Sequence, residues 1–476
     1  MAFKTLHASR WLALGLLAAG SVTAPRMARA SGLAERVEAA GEAIEAAEVR
    51  PEGGRWRPVA WGDLAGTTVD PGRYEVRVLV TGAPGATAVE VPVCAGRGRI
   101  ALDGKRVPSP DAGPVVVPIA SGLHELRFAI SVSSYERRFA CGEAVHARST
   151  TKTIEGLSAL TFGSPHASQG GGRAVVYVPP GHDLHRPAPL LVGLHPWNGS
   201  IWTYAAYAEL LAEARRRDVV LLMPSGLGNS LYTADAEDEV LRAIDAACEV
   251  VAVDRAAVSI WGASMGGAGA TTIGLHHPDR FACITSFFGD SQYDLSTYVR
   301  AILPNEAAAH RVNALDVVDN ARHVPVWLVH GEDDGVSPIR QSEILASALA
   351  DRGFHVRFDR VAGMGHAGAL VAQFAARVVD AAAEARVPQV VGRVTYRSVR
   401  PVDVGAYGVR IEHLSARGDA FVDVERTADG VHVRAHPGVA SIALARGALG
   451  TPVDAPPPIV VDDGAPLSAT WEPLAP

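Results

Sequence analysis

The chain has 476 residues, 48% of them apolar and 20% charged, and a formal net charge of −7. That composition belongs to an ordinary globular protein, neither disordered nor fibrous, and the length allows roughly three domains. The mild acidity and the lack of a long basic run argue against nucleic acid as a partner.

At the N-terminus, Lys4, His7 and Arg10 precede the apolar stretch Trp11 to Gly20, and Ala28-Arg29-Ala30 supplies small residues at cleavage positions. The apolar core is about half the length that a membrane-spanning helix needs. Residues 1–30 therefore read as an export signal, and the protein is expected to be secreted or periplasmic, mature from about Ser31, without stable membrane insertion. An uncleaved anchor is the alternative. Residues 31–50, rich in Ala and Glu, predict a short helical segment.

Over residues 51–150 the pattern changes to short alternating runs such as "RYEVRVLV", "ATAVEVPV" and "HELRFAIS", punctuated by Gly, Pro and Asp. This is the signature of a small antiparallel β-sandwich. The stretch resembles the jelly-roll accessory modules appended to secreted hydrolases, which leaves either a spacer or a carbohydrate contact as its role. Export would permit disulfides, and four cysteines allow three pairings. Cys94 with Cys141 is the preferred pair because both fall on strands of this module; free buried thiols are the alternative, and no cysteine has metal-ligand spacing.

Residues 158–386 alternate strand and helix. "PLLVGLH", "VVLLMPS", "AVSIWGAS", "ACITSFFG" and "VPVWLVHG" are apolar runs, and the helical stretch "AEDEVLRAIDAACEVV" places Val240, Leu241, Ile244, Ala247, Cys248 and Val251 on one face. Strands buried on both faces and separated by helices imply a doubly wound α/β domain with a mainly parallel sheet. From 389 to 476 the β pattern returns and ends in a Pro-rich tail. The expected architecture is an α/β domain flanked by two small β-sandwich modules.

The chemistry concentrates in the α/β segment. Gly262-Ala263-Ser264-Met265-Gly266 follows an apolar strand and opens a helix, so the serine is set in a sharp turn beside a helix N-terminus that favours negative charge. Asp334 lies 70 residues on, in a loop after a strand, and His366 another 32 residues on. The order serine, acid, histidine is that of the α/β-hydrolase arrangement.

On these motifs residues 158–386 resemble the α/β-hydrolase superfamily, specifically its secreted esterase and prolyl-oligopeptidase-like branch. Gly262-x-Ser264-x-Gly266 matches the family's elbow, His330-Gly331-x-x-Asp334 its acid loop and Gly363-x-Gly365-His366 its histidine loop. The resemblance implies Ser264 as nucleophile, His366 as base and Asp334 as the orienting acid, with Asp333 and Asp290 as competitors. The Met265 amide would be one oxyanion donor and Trp197 the other. Pro196, which stands where the family commonly has glycine, has no N–H to give. His195 is expected to hold that loop by hydrogen bonds, and no metal or organic cofactor is required.

Trp197, Trp202, Tyr204, Tyr207, Tyr232, Tyr293 and Tyr298 could line a pocket or belong to the core. His276 and His277 are read as capping the elbow helix rather than binding metal. The leading function is hydrolysis of carboxylic esters, small or polymeric. The second is a serine peptidase without a propeller, since the N-terminal portion is far shorter than the roughly 280 residues that seven blades need. A binding protein on a hydrolase fold is the remote third.

Overall fold

The computed structural model describes residues 46–473, apart from residues 61–63, 65, 83–87, 92, 110–112, 121, 143–145, 149–155, 168–170, 296–302, 304, 416–418 and 463–466. The export-signal reading of residues 1–30 lies outside these. Among the described residues, no helix is long and apolar enough to cross a membrane.

The described residues of the N-terminal portion hold nine strands: β1 (Ala46–Pro51), β2 (Arg57–Ala60), β3 (Gly72–Gly82), β4 (Ala88–Val91), β5 (Arg97–Leu102), β6 (Lys105–Val107), β7 (Val115–Pro118), β8 (Gly122–Val132) and β9 (His146–Arg148). They form a six-stranded sheet in the order β2-β1-β3-β8-β5-β6 and a three-stranded sheet β7-β4-β9. Val76, Val78, Leu126 and Phe128 of the first share one apolar core with Val89, Val91, Val115 and Val117 of the second. The helix expected over residues 31–50 is corrected at its end, where β1 pairs antiparallel with both β2 and β3. Ala47 turns into the core, while Glu48 and Arg50 meet Arg77 and Glu75 on the facing strand. A period-2 pattern with matched partners outweighs the helix propensity of Ala and Glu.

Cys94 and Cys141 form a disulfide, whereas Cys248 and Cys283 are free thiols. The bridge closes a separation of 47 residues, and a loop of that size contributes about 2–4 kcal/mol by limiting the unfolded chain. The double variant Cys94→Ser/Cys141→Ser is expected to lose stability on that scale, measured as a lower urea midpoint. An unchanged midpoint would show that the bridge does not hold this module.

The central domain is built on eight strands: β10 (Gly156–Phe162), β11 (Gly172–Val178), β12 (Ala188–Leu194), β13 (Val220–Pro224), β14 (Val253–Ala263), β15 (Ile284–Phe287), β16 (Val326–Gly331) and β17 (Val356–Val361). They lie in the order β10-β11-β13-β12-β14-β15-β16-β17. Pairings are parallel from β13 to β17, but β10 and β11 form an antiparallel edge. Among the described residues six α-helices accompany them: α1 (Ala208–Arg217), α2 (Asp235–Val250), α3 (Met265–His276), α4 (Glu306–His310), α5 (Arg340–Asp351) and α6 (Gly368–Glu384). Side chains alternate across the central strands. Val258 and Ile260 of β14 pack towards α2, α3 and α5, while Trp261 and Ala263 pack towards α1 and α6. Both faces are thus covered, which is why these strands read as continuous apolar runs.

The described residues of the C-terminal portion form eight strands: β18 (Arg393–Ser398), β19 (Gly405–Ala406), β20 (Val409–His413), β21 (Ala420–Arg426), β22 (Val431–Ala435), β23 (Val439–Leu444), β24 (Ile459–Val461) and β25 (Ser468–Trp471). Two four-stranded sheets, β18-β21-β22-β24 and β19-β20-β23-β25, share a core of Val394, Tyr396, Val422, Val433, Ile411 and Ile442. A charged cluster joins this portion to the central domain. Arg400 donates to Glu237 at 2.6 and 2.7 Å and to Asp403 at 2.9 Å. His276 and His277 belong to that cluster through Asp403 and Glu237, each at 2.6 Å, so their rings bond carboxylates rather than the last carbonyls of α3.

Candidate active site

Ser264 sits where β14 ends and α3 begins. Its backbone, at φ 56° and ψ −121°, is a costly conformation for a residue with a Cβ. It is held from both sides: the Ser264 amide donates to the Phe287 carbonyl at 2.9 Å, and its own carbonyl accepts from Ala268 at 3.0 Å. The flanking glycines serve close approach. A Cβ on Gly262 would strike the Gly266 backbone, and one on Gly266 the Leu194 carbonyl. Every residue of α3 is buried, so the turn cannot relax outward.

His366 follows β17 on a loop in which Gly363 has φ 73°. Its Nδ1 lies 2.7 Å from Asp334 Oδ2 and its Nε2 lies 2.8 Å from Ser264 Oγ. Phe288, at the end of β15, packs against the imidazole with ring centroids 4.5 Å apart. Asp334 is buried, and its other oxygen accepts from the amides of Val336 and Ser337 at 2.8 and 2.9 Å. Burial opposes its charge, but hydrogen bonds from His330 and His366 and the Val336 amide outweigh that cost and hold the carboxyl well below the usual carboxylate range. His330 is itself fixed by Ser342 at 2.7 Å and by the Ser337 carbonyl at 2.9 Å.

It is therefore Asp334 that meets the histidine. Asp333 is exposed and its amide donates to Met364 O at 2.9 Å; Asp290, buried, accepts from Ser337 Oγ at 2.7 Å. In this arrangement an imidazole can take the proton of Ser264 while a permanently charged carboxylate faces its far nitrogen.

Ser264 and His366 open onto a cleft of about 960 Å³, which Trp197 and Met265 also line, while Asp334 is buried beyond the imidazole. Met265 is the first residue of α3, where an amide has no acceptor within its own helix. Of the aromatic candidates, Trp197 and Trp202 reach the cleft, and Trp197 is 39% exposed. Tyr204, Tyr207, Tyr232 and Tyr293 are core instead. The Tyr204 hydroxyl donates to Leu194 O at 2.8 Å and accepts from the Ala263 amide at 2.9 Å, joining β12 to β14 just before the turn. Tyr298 lies outside the described residues.

The opposite wall comes from the N-terminal portion: Val93, Ala95, Ser131, Ser133, Tyr135 and Glu136 all line the cleft. The Tyr135 ring stands 6.1 Å from His366, and its carbonyl accepts from the Gly368 amide at 2.9 Å, at the start of α6. Tyr207 donates to Glu136 at 2.9 Å and Arg138 to Glu209 at 2.7 Å across the same interface. Sequence reasoning missed this wall, and no local pattern in residues 93–136 announces it. For Phe288 a signal did exist, its place at the carboxyl end of a parallel strand, where such sheets carry their sites.

The prolyl oligopeptidase family profile matches residues 228–383. No curated protein matches the chain. Among solved structures, the chain is similar to an S-formylglutathione hydrolase from Agrobacterium tumefaciens, at 18% identity and a TM-score of 0.44 over 50% of this chain and 98% of that one. A ferulic acid esterase matches at 17% identity and a TM-score of 0.40, over 47% and 98% of the two chains. A putative dipeptidyl aminopeptidase IV from Bacteroides ovatus matches at 12% identity and a TM-score of 0.43, over 54% and 39%.

Proposed function

We propose that this chain, a serine hydrolase of the α/β-hydrolase superfamily, cleaves carboxylic esters outside the cytoplasm through an acyl-enzyme intermediate. The observation that supports it most is the continuous hydrogen-bonded path from Ser264 through His366 to Asp334 at the cleft. Ser264 Oγ attacks the acyl carbonyl as His366 Nε2 takes its proton, and Asp334 faces the imidazolium that results. The Trp197 and Met265 amides receive the oxyanion, each contributing about 3 kcal/mol. The leaving alcohol takes the proton back, and water then repeats the sequence to release the acid.

The walls favour an uncharged acyl group. Val93, Trp197, Trp202 and Val336 present apolar surface, and the ionisable side chains that line the cleft are Tyr135, Glu136 and His366. The Cys94–Cys141 disulfide supports an oxidising compartment. A second reading, peptidase activity, is favoured by the prolyl oligopeptidase match over residues 228–383.

Turnover of p-nitrophenyl acyl esters beside peptide p-nitroanilides separates the two. Esters alone should be cleaved, and anilide turnover at comparable kcat/KM would replace the ester reading with the peptidase one. In the same assay Asp334→Asn is expected to lower kcat about 10⁴-fold, because an amide at that place favours the wrong imidazole tautomer. A fall of less than tenfold would remove Asp334 from the role of orienting acid.

A further inference from the structure

We infer that His195 is a positioning residue: its Nδ1–H holds the Pro196 carbonyl and thereby aims the Trp197 amide into the cleft. The inference rests on the serine-hydrolase mechanism proposed above. Every described peptide bond is trans, and a trans unit points its C=O and N–H in opposite directions. The Pro196 carbonyl and the Trp197 N–H belong to one such unit. Whatever grips the carbonyl therefore aims the amide.

Two nitrogens face it: the Gly199 amide, which donates at 2.8 Å, and His195 Nδ1 at 2.9 Å, which donates when it carries the ring proton. The rest of the loop is engaged elsewhere. Tyr232 donates its hydroxyl to the His195 carbonyl at 3.3 Å, and the Asn198 amide donates to Asn229 Oδ1 at 2.7 Å. Asn229 returns a bond from its side-chain amide to Asn198 Oδ1 at 2.8 Å. Among the described residues the Trp197 N–H has no acceptor, and Trp197 lines the cleft beside Ser264 and Met265.

His195 itself is 2% exposed, its ring lies against Tyr232 with centroids 5.7 Å apart, and its Nε2 faces the Ser225 carbonyl at 3.0 Å. Both ring nitrogens thus face carbonyl oxygens, whereas a neutral imidazole has a single N–H. Were that proton on Nε2, a bare lone pair would face the Pro196 carbonyl and only Gly199 would hold the plane. Burial favours the neutral ring, so the placing of its proton decides how firmly the amide is aimed.

Two variants separate the ring nitrogens: His195→Asn keeps a donor near the place of Nδ1, and His195→Gln keeps one near Nε2. On p-nitrophenyl butyrate, His195→Gln is expected to lower kcat about 100-fold with KM within about twofold, as misaiming one oxyanion donor should. Inhibition by phenylboronic acid, whose tetrahedral adduct on Ser264 needs the same amides, should weaken by a similar factor. His195→Asn should stay within about fivefold of wild type in both. Equal losses in the two variants, or a loss carried in KM, would overturn the inference. Nitrogen-resolved NMR of the unsubstituted enzyme tests it without any variant: a His195 ring protonated on Nε2 alone would also overturn it. If the wild type neither cleaves the ester nor takes a fluorophosphonate label at Ser264, the mechanism fails and the inference falls with it. An active, labelled wild type with an unimpaired His195→Gln variant sinks the inference alone.

Discussion

Ser264→Ala is expected to lower kcat for p-nitrophenyl esters by roughly 10⁵- to 10⁶-fold while leaving the fold intact, the scale seen when a serine nucleophile is removed from such a set. The size follows from the geometry. Ser264 Oγ is the atom that meets His366 Nε2 at 2.8 Å, and without it the imidazole has no nucleophile to activate. What remains is binding and the two amides, which alone give about 10³- to 10⁴-fold over water. Stability should change little, because the strained φ of 56° is imposed by the neighbours of Ser264 rather than by its hydroxyl. The Ser264 amide bond to Phe287 and the carbonyl bond from Ala268 both survive in alanine. A variant that keeps more than about a hundredth of wild-type kcat would require a different nucleophile. A thermal midpoint measured alongside separates lost chemistry from lost fold.

The elbow and the histidine loop could be read in the sequence because each is written locally. Glycines at 262 and 266 are required where backbones nearly touch, and they announce the turn. The choice of acid was less legible. Asp333 and Asp334 are chain neighbours with identical chemistry, and what distinguishes them is the turn in which the Val336 and Ser337 amides close on Asp334. The buried tyrosines were harder still. Whether Tyr204 faces substrate or ties β12 to β14 depends on a hydroxyl bridging two segments that are 69 residues apart. The cleft wall of Val93, Tyr135 and Glu136 arises from one portion of the chain packing on another, and periodicity carries no record of such long-range contacts. Residues 46–50 show the converse, where a composition suited to helix is overruled by strand partners.

Arg400→Met is expected to destabilise the protein by about 3–5 kcal/mol at pH 7, because removing one partner leaves the other charges buried and uncompensated. Arg400 and Asp403 of the C-terminal portion and Glu237 of α2 are all buried, and the guanidinium is the cation that bridges both carboxylates. Burial opposes the Glu237 charge, yet the bonds from His277 and Arg400 bring its pKa from an ordinary 4.5 down to about 2. A depressed carboxyl pKa contributes stability that is fully present above the unfolded value and is lost as pH falls through the folded one. For Glu237 the contribution, about 3 kcal/mol, is complete above about pH 4.5 and fades towards pH 2. In Arg400→Met the Glu237 carboxyl loses the two bonds and the charge of the guanidinium, and its pKa rises, so protonation on acidification costs the variant little. The gap in unfolding free energy between wild type and variant should therefore be widest near neutrality and narrow below about pH 4. Urea titrations at pH 7 and pH 3.5 measure both values. A gap that stays constant with pH would mean that the arginine acts through packing rather than through the charge on Glu237. A gap below about 1 kcal/mol at pH 7 would mean that water reaches the cluster and screens it.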